Sequence, residues 1–182
     1  IKEGRGNKHK RKIFTPAQIL AVGFAGVIIL GTLLLSLPSA TSDGHGASLI
    51  NAFFTSTSAV CVTGLVVVDT GNYFTVFGQL VIMLLIQIGG LGFMSIASLY
   101  AIILGKRIMF RERILLQEAY NQLNTGGIVK LVKNILLFTF VLEGLGALIL
   151  AIRWAGQLGW GKDLYFGIFN AISDFNNAGF DL

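Results

Sequence analysis

Three long apolar runs, at residues 17–37, 74–104 and 128–152, restrict the folds that this sequence can adopt. Each exceeds the roughly 20 residues that a helix needs to cross a hydrocarbon core about 30 Å thick. Charged residues make up 13% of the chain, about half the fraction in an average soluble protein. The first run is too long for the core of a signal peptide, and Thr15 and Pro16 suit the N-cap and first turn of a retained helix. The sequence therefore predicts an all-α integral membrane protein.

The distribution of Lys and Arg predicts how the chain crosses the membrane. Six of the 14 basic residues precede the first apolar run, four follow the second run, and two open the third. Residues 38–73 contain no basic residue. Short cationic loops resist translocation and stay in the cytoplasm. We therefore expect a cytoplasmic N-terminus, a cytoplasmic segment at residues 106–133, and an outer loop at residues 38–73 in the cell membrane.

A further apolar segment, residues 47–68, overlaps this outer loop and reads ASLINAFFTSTSAVCVTGLVVV. Its content of Ser and Thr is too high for an ordinary membrane span. If it crossed the membrane, the number of crossings would place the basic residues 106–113 outside, against the charge rule. The segment therefore predicts a re-entrant pore loop that enters and leaves on the outer side.

An internal repeat supports this interpretation, because the chain aligns with itself at a spacing of 115 residues. One register covers an apolar helix and the pore loop, which makes a chance match less probable. Each repeat reads as an outer helix, a re-entrant helix, an extended glycine-containing segment and an inner helix. The matched residues are Leu30, Gly31, Leu33, Leu35, Leu49, Phe54, Ser58 and Gly64 with Leu145, Gly146, Leu148, Leu150, Leu164, Phe169, Ser173 and Gly179.

The repeat divides the chain into four parts. Residues 1–12 form a basic cytoplasmic N-terminus, and residues 13–104 form the first helix–pore–helix unit. Residues 105–127 form a cytoplasmic amphipathic connector, which suits packing on the inner membrane surface or docking of a partner. Residues 128–182 form a second unit without an inner helix. We therefore expect this chain to be a segment of a longer protein.

The extended segments suggest a cation filter. Irregular backbone at membrane depth is tolerated where it is buried in protein or lines an aqueous path. Carbonyl oxygens along a narrow path replace the hydration shell of a cation. The preceding short helices, predicted at residues 47–59 and 164–176, would direct their partly negative C-terminal ends toward that path. The predicted filter residues are Val62, Thr63, Gly64, Leu65, Asn177, Ala178, Gly179 and Phe180, and the flanking residues are Cys61, Asp69, Asn176 and Asp181.

Three motifs resemble one family: TSAVCVTGLVVVDTG at residues 57–71, QIGGLGFM at residues 87–94 and SDFNNAGFDL at residues 173–182. They are similar to the first filter, first inner helix and second filter of the Trk/Ktr/HKT superfamily of potassium and sodium uptake proteins. The similarity is closest to the membrane subunit of bacterial Ktr systems. It implies four such units around one pore, with one filter glycine per unit, here Gly64 and Gly179.

The same resemblance implies specificity and partners. Serine at the first filter glycine accompanies Na⁺ preference in the plant relatives, so Gly64 favours a K⁺-conducting type. The family pattern implies a homodimer that binds a ring of nucleotide-binding regulatory subunits on its cytoplasmic face. It leaves coupling to Na⁺ open and implies no cofactor or metal apart from the transported K⁺.

Polar residues inside the apolar runs are the remaining candidates. Glu143 is costly in a bilayer, and a structural hydrogen bond or ion pair is favoured over a role in conduction. Gln79 and Gln87 suit interhelical hydrogen bonds. Asp174 fits either a tie to neighbouring backbone or attraction of cations. The glycines of QIGGLGFM suit close helix packing, with a hinge in the helix as the alternative.

Other functional classes find little support. The chain has a single cysteine, and His9 and His45 fall on opposite sides of the predicted membrane, so they form no catalytic dyad or metal cluster. GxxxxGK[ST] is absent, and the basic residues are not interleaved with aromatics as in a nucleic-acid surface. We expect a potassium-uptake pore rather than an enzyme. The alternatives are a non-conducting membrane scaffold, or a simple tetrameric potassium channel, which two diverged units disfavour.

Overall fold

The computed structural model describes residues 16–92, 95, 114–117, 127–154 and 160–182. This part of the chain contains no strand, and one isolated bridge pairs Thr41 with Phe74. The predicted all-α class is therefore confirmed for the described residues. The basic N-terminus, the Thr15 cap and most of the 105–127 connector lie outside them. The helices are α1 (Pro16–Leu35), α2 (Leu49–Val60), α3 (Thr70–Tyr73), α4 (Val76–Leu91), α5 (Ile128–Trp154) and α6 (Trp160–Phe175), with a 3₁₀ turn at Pro38–Ala40 and helical residues at 114–117.

Helices α1 and α5 are long and apolar enough to cross a membrane. They contain 20 and 27 residues, and a 20-residue helix is about 30 Å long. Large apolar side chains such as Leu33 and Ile149 are exposed on their surfaces. Such surfaces suit contact with lipid, because lipid tails are as apolar as these side chains and keep them out of water. The described helices are thus consistent with a helical membrane protein.

Helices α2 and α6 are shorter, with 12 and 16 residues. At a rise of 1.5 Å per residue they measure about 18 and 24 Å, less than the hydrocarbon thickness. Helix α2 begins after Ser48, whose side chain accepts a hydrogen bond from the Asn51 amide at 3.3 Å. Both helices lie within a few residues of the predicted bounds, although α6 begins four residues earlier than expected.

The second apolar run does not form one continuous helix. Asp69 caps the short helix α3, and Thr75 then caps α4 by accepting a hydrogen bond from the Gly78 amide. Helix α4 ends at Leu91 because Gly92 has a φ of 77°, outside the helical region. Gly92 therefore interrupts the helix inside the second apolar run. Residues 96–104 lie outside the described part.

Helix α4 lies at the centre of the described structure. It packs against α1 and α2 on one side and against α6 on the other, while α5 and α6 pack extensively together. Phe74, Phe169 and Phe180 are fully buried and fill the core. This packing brings the C-terminal ends of α2 and α6 close to the last turn of α4.

Candidate functional site

The two predicted filter segments, residues 62–65 and 177–180, lie side by side at their glycines. A Cβ atom on Gly64 would be 3.0 Å from the Ala178 carbonyl oxygen, and one on Gly179 would be 3.1 Å from the Cα of Gly64. Gly64 and Gly179 have φ values of 74° and 69°. Glycine is favoured at both positions because the conformation is left-handed and a Cβ atom would press against the neighbouring backbone.

Each segment also begins with a left-handed residue that is not glycine. Val62 has a φ of 55° and Asn177 a φ of 57°, and no other non-glycine residue in the described ranges has a positive φ. This conformation is uncommon for Asn and a clear outlier for β-branched Val. Such strain costs of order 1–3 kcal/mol and persists where the surrounding structure holds the backbone in place. Both segments therefore show the same sequence of φ signs at their first three residues, positive, negative and positive.

Backbone hydrogen bonds at the start of the two segments correspond at the 115-residue spacing. In each, the amide after the left-handed residue donates to the carbonyl five residues earlier, and the left-handed residue donates to the carbonyl three residues earlier. The bonds are Thr63 to Ser58 (3.0 Å) and Val62 to Ala59 (3.3 Å) in the first segment, and Ala178 to Ser173 (2.7 Å) and Asn177 to Asp174 (3.0 Å) in the second.

Two serines at equivalent positions support the segments through their side chains. The Ser58 hydroxyl oxygen accepts a hydrogen bond from the Thr63 hydroxyl at 3.0 Å. The Ser173 hydroxyl oxygen accepts one from the Phe180 backbone amide at 2.9 Å. Both serines are buried, so their hydroxyls fix the segments from the protein side.

Consecutive glycines of α4 contact the ends of both short helices. A Cβ atom on Gly89 would collide with the backbone of Val60, the last residue of α2. A Cβ atom on Gly90 would collide with the side chain of Asn176, the first residue after α6. Helix α4 therefore packs closely against both turns that lead into the filter segments.

A polar cluster of buried Gln87 and Glu143 with partly buried Asn176 lies beside this contact. The Gln87 side-chain amide donates to Glu143 Oε2 at 3.0 Å, and the Asn176 amide donates to Glu143 Oε1 at 3.2 Å. The Asn176 amide also lies 3.3 Å from Gln87 Oε1 and 2.9 Å from the Ile172 carbonyl oxygen. The cluster joins α4, α5 and the end of α6.

A cleft of about 460 Å³ next to the filter segments is lined by residues that include Asp69, Asn72 and Asp181. Asp69 accepts hydrogen bonds from the backbone amide of Asn72 and from its side-chain amide. These bonds, the backbone one most strongly, lower the pKa of the Asp69 carboxyl from its ordinary value of 3.8. Both carboxylates are exposed. The cleft therefore holds negative charge next to the filter segments.

Comparison with protein families adds the deciding observation. The family model for TrkH, described as a cation transport protein, matches residues 5–182. The chain belongs to the TrkH family.

Three curated relatives of this TrkH-family chain have informative names. Ktr system potassium uptake protein B of Bacillus subtilis (strain 168) is 56% identical over 169 residues, 93% of this chain and 38% of that protein. Potassium/sodium uptake protein NtpJ of Enterococcus hirae is 45% identical over 96% of this chain and 39% of its own length. Ktr system potassium uptake protein B of Vibrio alginolyticus is 40% identical over 97% and 38%. The chain spans about two fifths of the length of these relatives.

The predicted site residues of this TrkH-family chain divide into two environments. One group is buried in the protein and consists of Ala178 and Phe180. The other group is exposed or partly exposed and includes the two filter glycines. Its members are Cys61, Val62, Thr63, Gly64, Leu65, Asp69, Asn176, Asn177, Gly179 and Asp181.

Some contacts in this TrkH-family chain could be predicted from the sequence, and others could not. Interhelical hydrogen bonds were expected at Gln79 and Gln87, and the structure confirms them. Close packing was expected at the three glycines of QIGGLGFM. It is confirmed at Gly89 and Gly90 but not at Gly92, where a Cβ atom would meet one atom at 4.0 Å. The supporting role of Ser58 and Ser173 was not predicted, although their match within the repeat was the available signal. The left-handed Val62 had no signal, because Val is among the residues least expected there.

Proposed function

We propose that this chain contributes the first two filter segments of a potassium-uptake pore. The observation that carries the proposal is the contact between Gly64 and Gly179 at the ends of two short helices. Both glycines have a backbone conformation that other residues rarely adopt, and both segments start with the same hydrogen bonds. Because the two adjacent segments share one backbone pattern, they can offer equivalent carbonyl oxygens to the same ion path.

In this proposal the ion ligands are backbone carbonyl oxygens of residues 62–65 and 177–180. They replace water around K⁺ as it moves passively down its electrochemical gradient into the cell. The C-terminal ends of α2 and α6 add partial negative charge close to the segments, which favours a cation. The first unit comprises α1, α2, residues 62–65 and α4, and the second comprises α5, α6 and residues 177–180.

Two filter segments do not surround an ion path. Because the chain spans about two fifths of its relatives, we propose that the native-length protein supplies further units that complete the ring. The names of these relatives support potassium as the transported ion, and NtpJ is also named for sodium. Gly64 at the first filter favours K⁺ over Na⁺.

The cellular arrangement follows the charge distribution and the family resemblance. We propose a multi-pass protein of the cell membrane with a cytoplasmic N-terminus, supported by the basic residues before α1 and after the second apolar run. A homodimer with a cytoplasmic ring of nucleotide-binding regulatory subunits is the proposed assembly. Relatives named as parts of a Ktr system support the involvement of further subunits.

The test is Rb⁺ uptake into cells that lack their own potassium-uptake systems and express the native-length gene, with and without its regulatory subunit. Uptake that K⁺ inhibits more strongly than Na⁺ would support the proposal. Well-expressed, membrane-inserted protein that gives no K⁺-sensitive uptake under either condition would favour the non-conducting scaffold.

A further inference from the structure

We propose that Glu143 is a positioning residue for the second filter segment and acts through Asn176 rather than on the ion. This inference rests on the proposed conduction function and names a residue that determines its specificity. The residues concerned come from three parts of the chain: Gln87 on α4, Glu143 on α5 and Asn176 at the end of α6.

Both carboxylate oxygens of Glu143 are occupied by protein donors. Oε2 accepts from the Gln87 side-chain amide at 3.0 Å, and Oε1 accepts from the Asn176 amide at 3.2 Å. The side chain is 6% exposed. A buried carboxylate whose two oxygens bind two amide groups is suited to fixing those groups in place. Its hydrogen bonds are charge-assisted and therefore stronger than bonds between neutral groups.

Asn176 transmits this constraint to the filter. It directly precedes Asn177, whose φ of 57° has to be maintained by its surroundings. The Asn176 side-chain amide nitrogen has two hydrogens but three acceptors within hydrogen-bond distance. These are Glu143 Oε1, Gln87 Oε1 and the Ile172 carbonyl oxygen. The carboxylate is the strongest of these acceptors. Its loss would allow the amide to rotate and the turn at residues 176–177 to relax.

The first filter segment lacks an equivalent cluster. At the 115-residue spacing, Glu143 corresponds to Ile28 and Asn176 corresponds to Cys61. Neither residue provides a carboxylate or an amide. The cluster thus fixes only the second segment, and it does so partly through Gln87 of α4, a helix of the first unit. The two filter segments are therefore held in relation to one another by a side-chain contact outside the filter.

The experiment exchanges the acid and the amide within the native-length protein. Glu143→Gln removes the charge, Gln87→Glu places two carboxylates together, and the double variant restores one carboxylate and one amide in reversed positions. The measurement is Rb⁺ uptake with K⁺ or Na⁺ as competitor, normalised to the membrane-inserted protein. We expect each single variant to lower the preference for K⁺ over Na⁺ by about fivefold, as for loss of one supporting hydrogen bond, and the double variant to recover most of it.

Tyr165→Phe is the matched control. The Tyr165 hydroxyl donates to Gln79 Oε1 at 2.9 Å and also links α6 to α4, but it does not contact Asn176. This variant should retain the wild-type preference, even where its uptake or its amount in the membrane falls. If Glu143→Gln impairs insertion, the double variant carries the test, because it keeps the buried acid–amide pair.

The outcomes separate this inference from the proposed function. Wild-type preference in an inserted Glu143→Gln protein would overturn the role of Glu143 alone. An equal loss of preference in Tyr165→Phe, or no recovery in the double variant, would also overturn it, because the effect would then be general destabilisation. Absence of K⁺-sensitive uptake by the unsubstituted protein would instead overturn the proposed function and this inference with it.

Discussion

The backbone of Gly64 lies directly against the backbone of Gly179, so that a Cβ atom on Gly179 would come to 3.1 Å from the Gly64 Cα. The two residues are 115 positions apart in the chain. They meet because α2 and α6 both end beside the last turn of α4. Gly89 and Gly90 make this approach close, since neither has a side chain to separate α4 from Val60 or Asn176.

Alanine at either filter glycine should abolish selective uptake. In Gly64→Ala or Gly179→Ala, the left-handed conformation costs about 1–2 kcal/mol, and the new Cβ also presses on the opposite segment. The segments must then separate. We expect loss of the preference for K⁺ over Na⁺ in Rb⁺ competition assays.

Gly44→Ala separates these two effects. Gly44 has a φ of 73°, but a Cβ atom there would meet nothing within 4 Å. It therefore carries the backbone strain without the steric contact. We expect normal selectivity in this variant, and a loss equal to that in Gly64→Ala would contradict the steric argument.

The α4 glycines should differ in their tolerance of alanine. In Gly89→Ala the Cβ meets the Val60 backbone, whereas in Gly90→Ala it meets the Asn176 side chain, which can shift only by weakening its hydrogen bonds to Glu143 and Ile172. Overpacking of this kind costs about 1–3 kcal/mol, and we expect Gly89→Ala to be nearer the upper value. Thermal unfolding in detergent measures the difference. Gly26→Ala on α1, where a Cβ atom meets nothing within 4 Å, should cause no loss of stability, and a loss as large as in Gly89→Ala would contradict this account.

The two equivalent serines provide a matched pair of substitutions. Ser173→Ala leaves the buried Phe180 amide without its acceptor, which costs about 1–3 kcal/mol. Ser58→Ala costs less, because the Thr63 hydroxyl keeps a weaker contact with the Ser58 carbonyl at 3.4 Å. The free energies of unfolding of the two variants should therefore differ, and equal values would show that the Phe180 bond adds nothing.

Asp69→Asn tests the negative charge in the cleft beside the filter segments. Asn is as good an N-cap as Asp, so α3 should be preserved while the negative charge is removed. We expect about a twofold rise in the K⁺ concentration for half-maximal uptake at low ionic strength, and no difference at high salt. Asp43→Asn, which removes an exposed carboxylate that does not line the cleft, should have little effect.

The pH dependence of this effect has a definite sign. Hydrogen bonds from Asn72 lower the pKa of Asp69, so its charge and its contribution to stability are present above the ordinary value of 3.8. Both are lost only as the pH falls through the lower folded-state pKa. The difference between wild type and Asp69→Asn should therefore stay constant between about pH 5 and 7. A difference that disappears within this range would contradict the lowered pKa.

Much of the helical architecture could be predicted from the sequence. The apolar runs indicate α1 and α5 because their length and composition leave few other structures, and the repeat indicates α2 and α6. Hydropathy stays high across Gly92 and could not locate the end of α4 there, although a hinge at the glycines of QIGGLGFM was one interpretation. The short helix α3 was missed, since Asp69 was interpreted only as a charge beside the filter rather than as an N-cap.

The candidate site was only partly accessible to the same reasoning. Gly64 and Gly179 could be named from the repeat, but their contact depends on how distant helices pack. Glu143 and Gln87 could each be expected to form hydrogen bonds, yet they are 56 residues apart, and no local pattern indicates that they bind each other and Asn176. The ion-filter role of residues 62–65 and 177–180 stays a prediction.

The central claim is that the backbone at Gly64 and Gly179 forms one K⁺-selective filter. The most direct measurement is competition of K⁺ and Na⁺ with Rb⁺ uptake by the native-length protein and its Gly64→Ser variant, at equal amounts in the membrane. We expect K⁺-preferring uptake by the unsubstituted protein and a clear fall in that preference in Gly64→Ser. Unchanged selectivity in Gly64→Ser would contradict it.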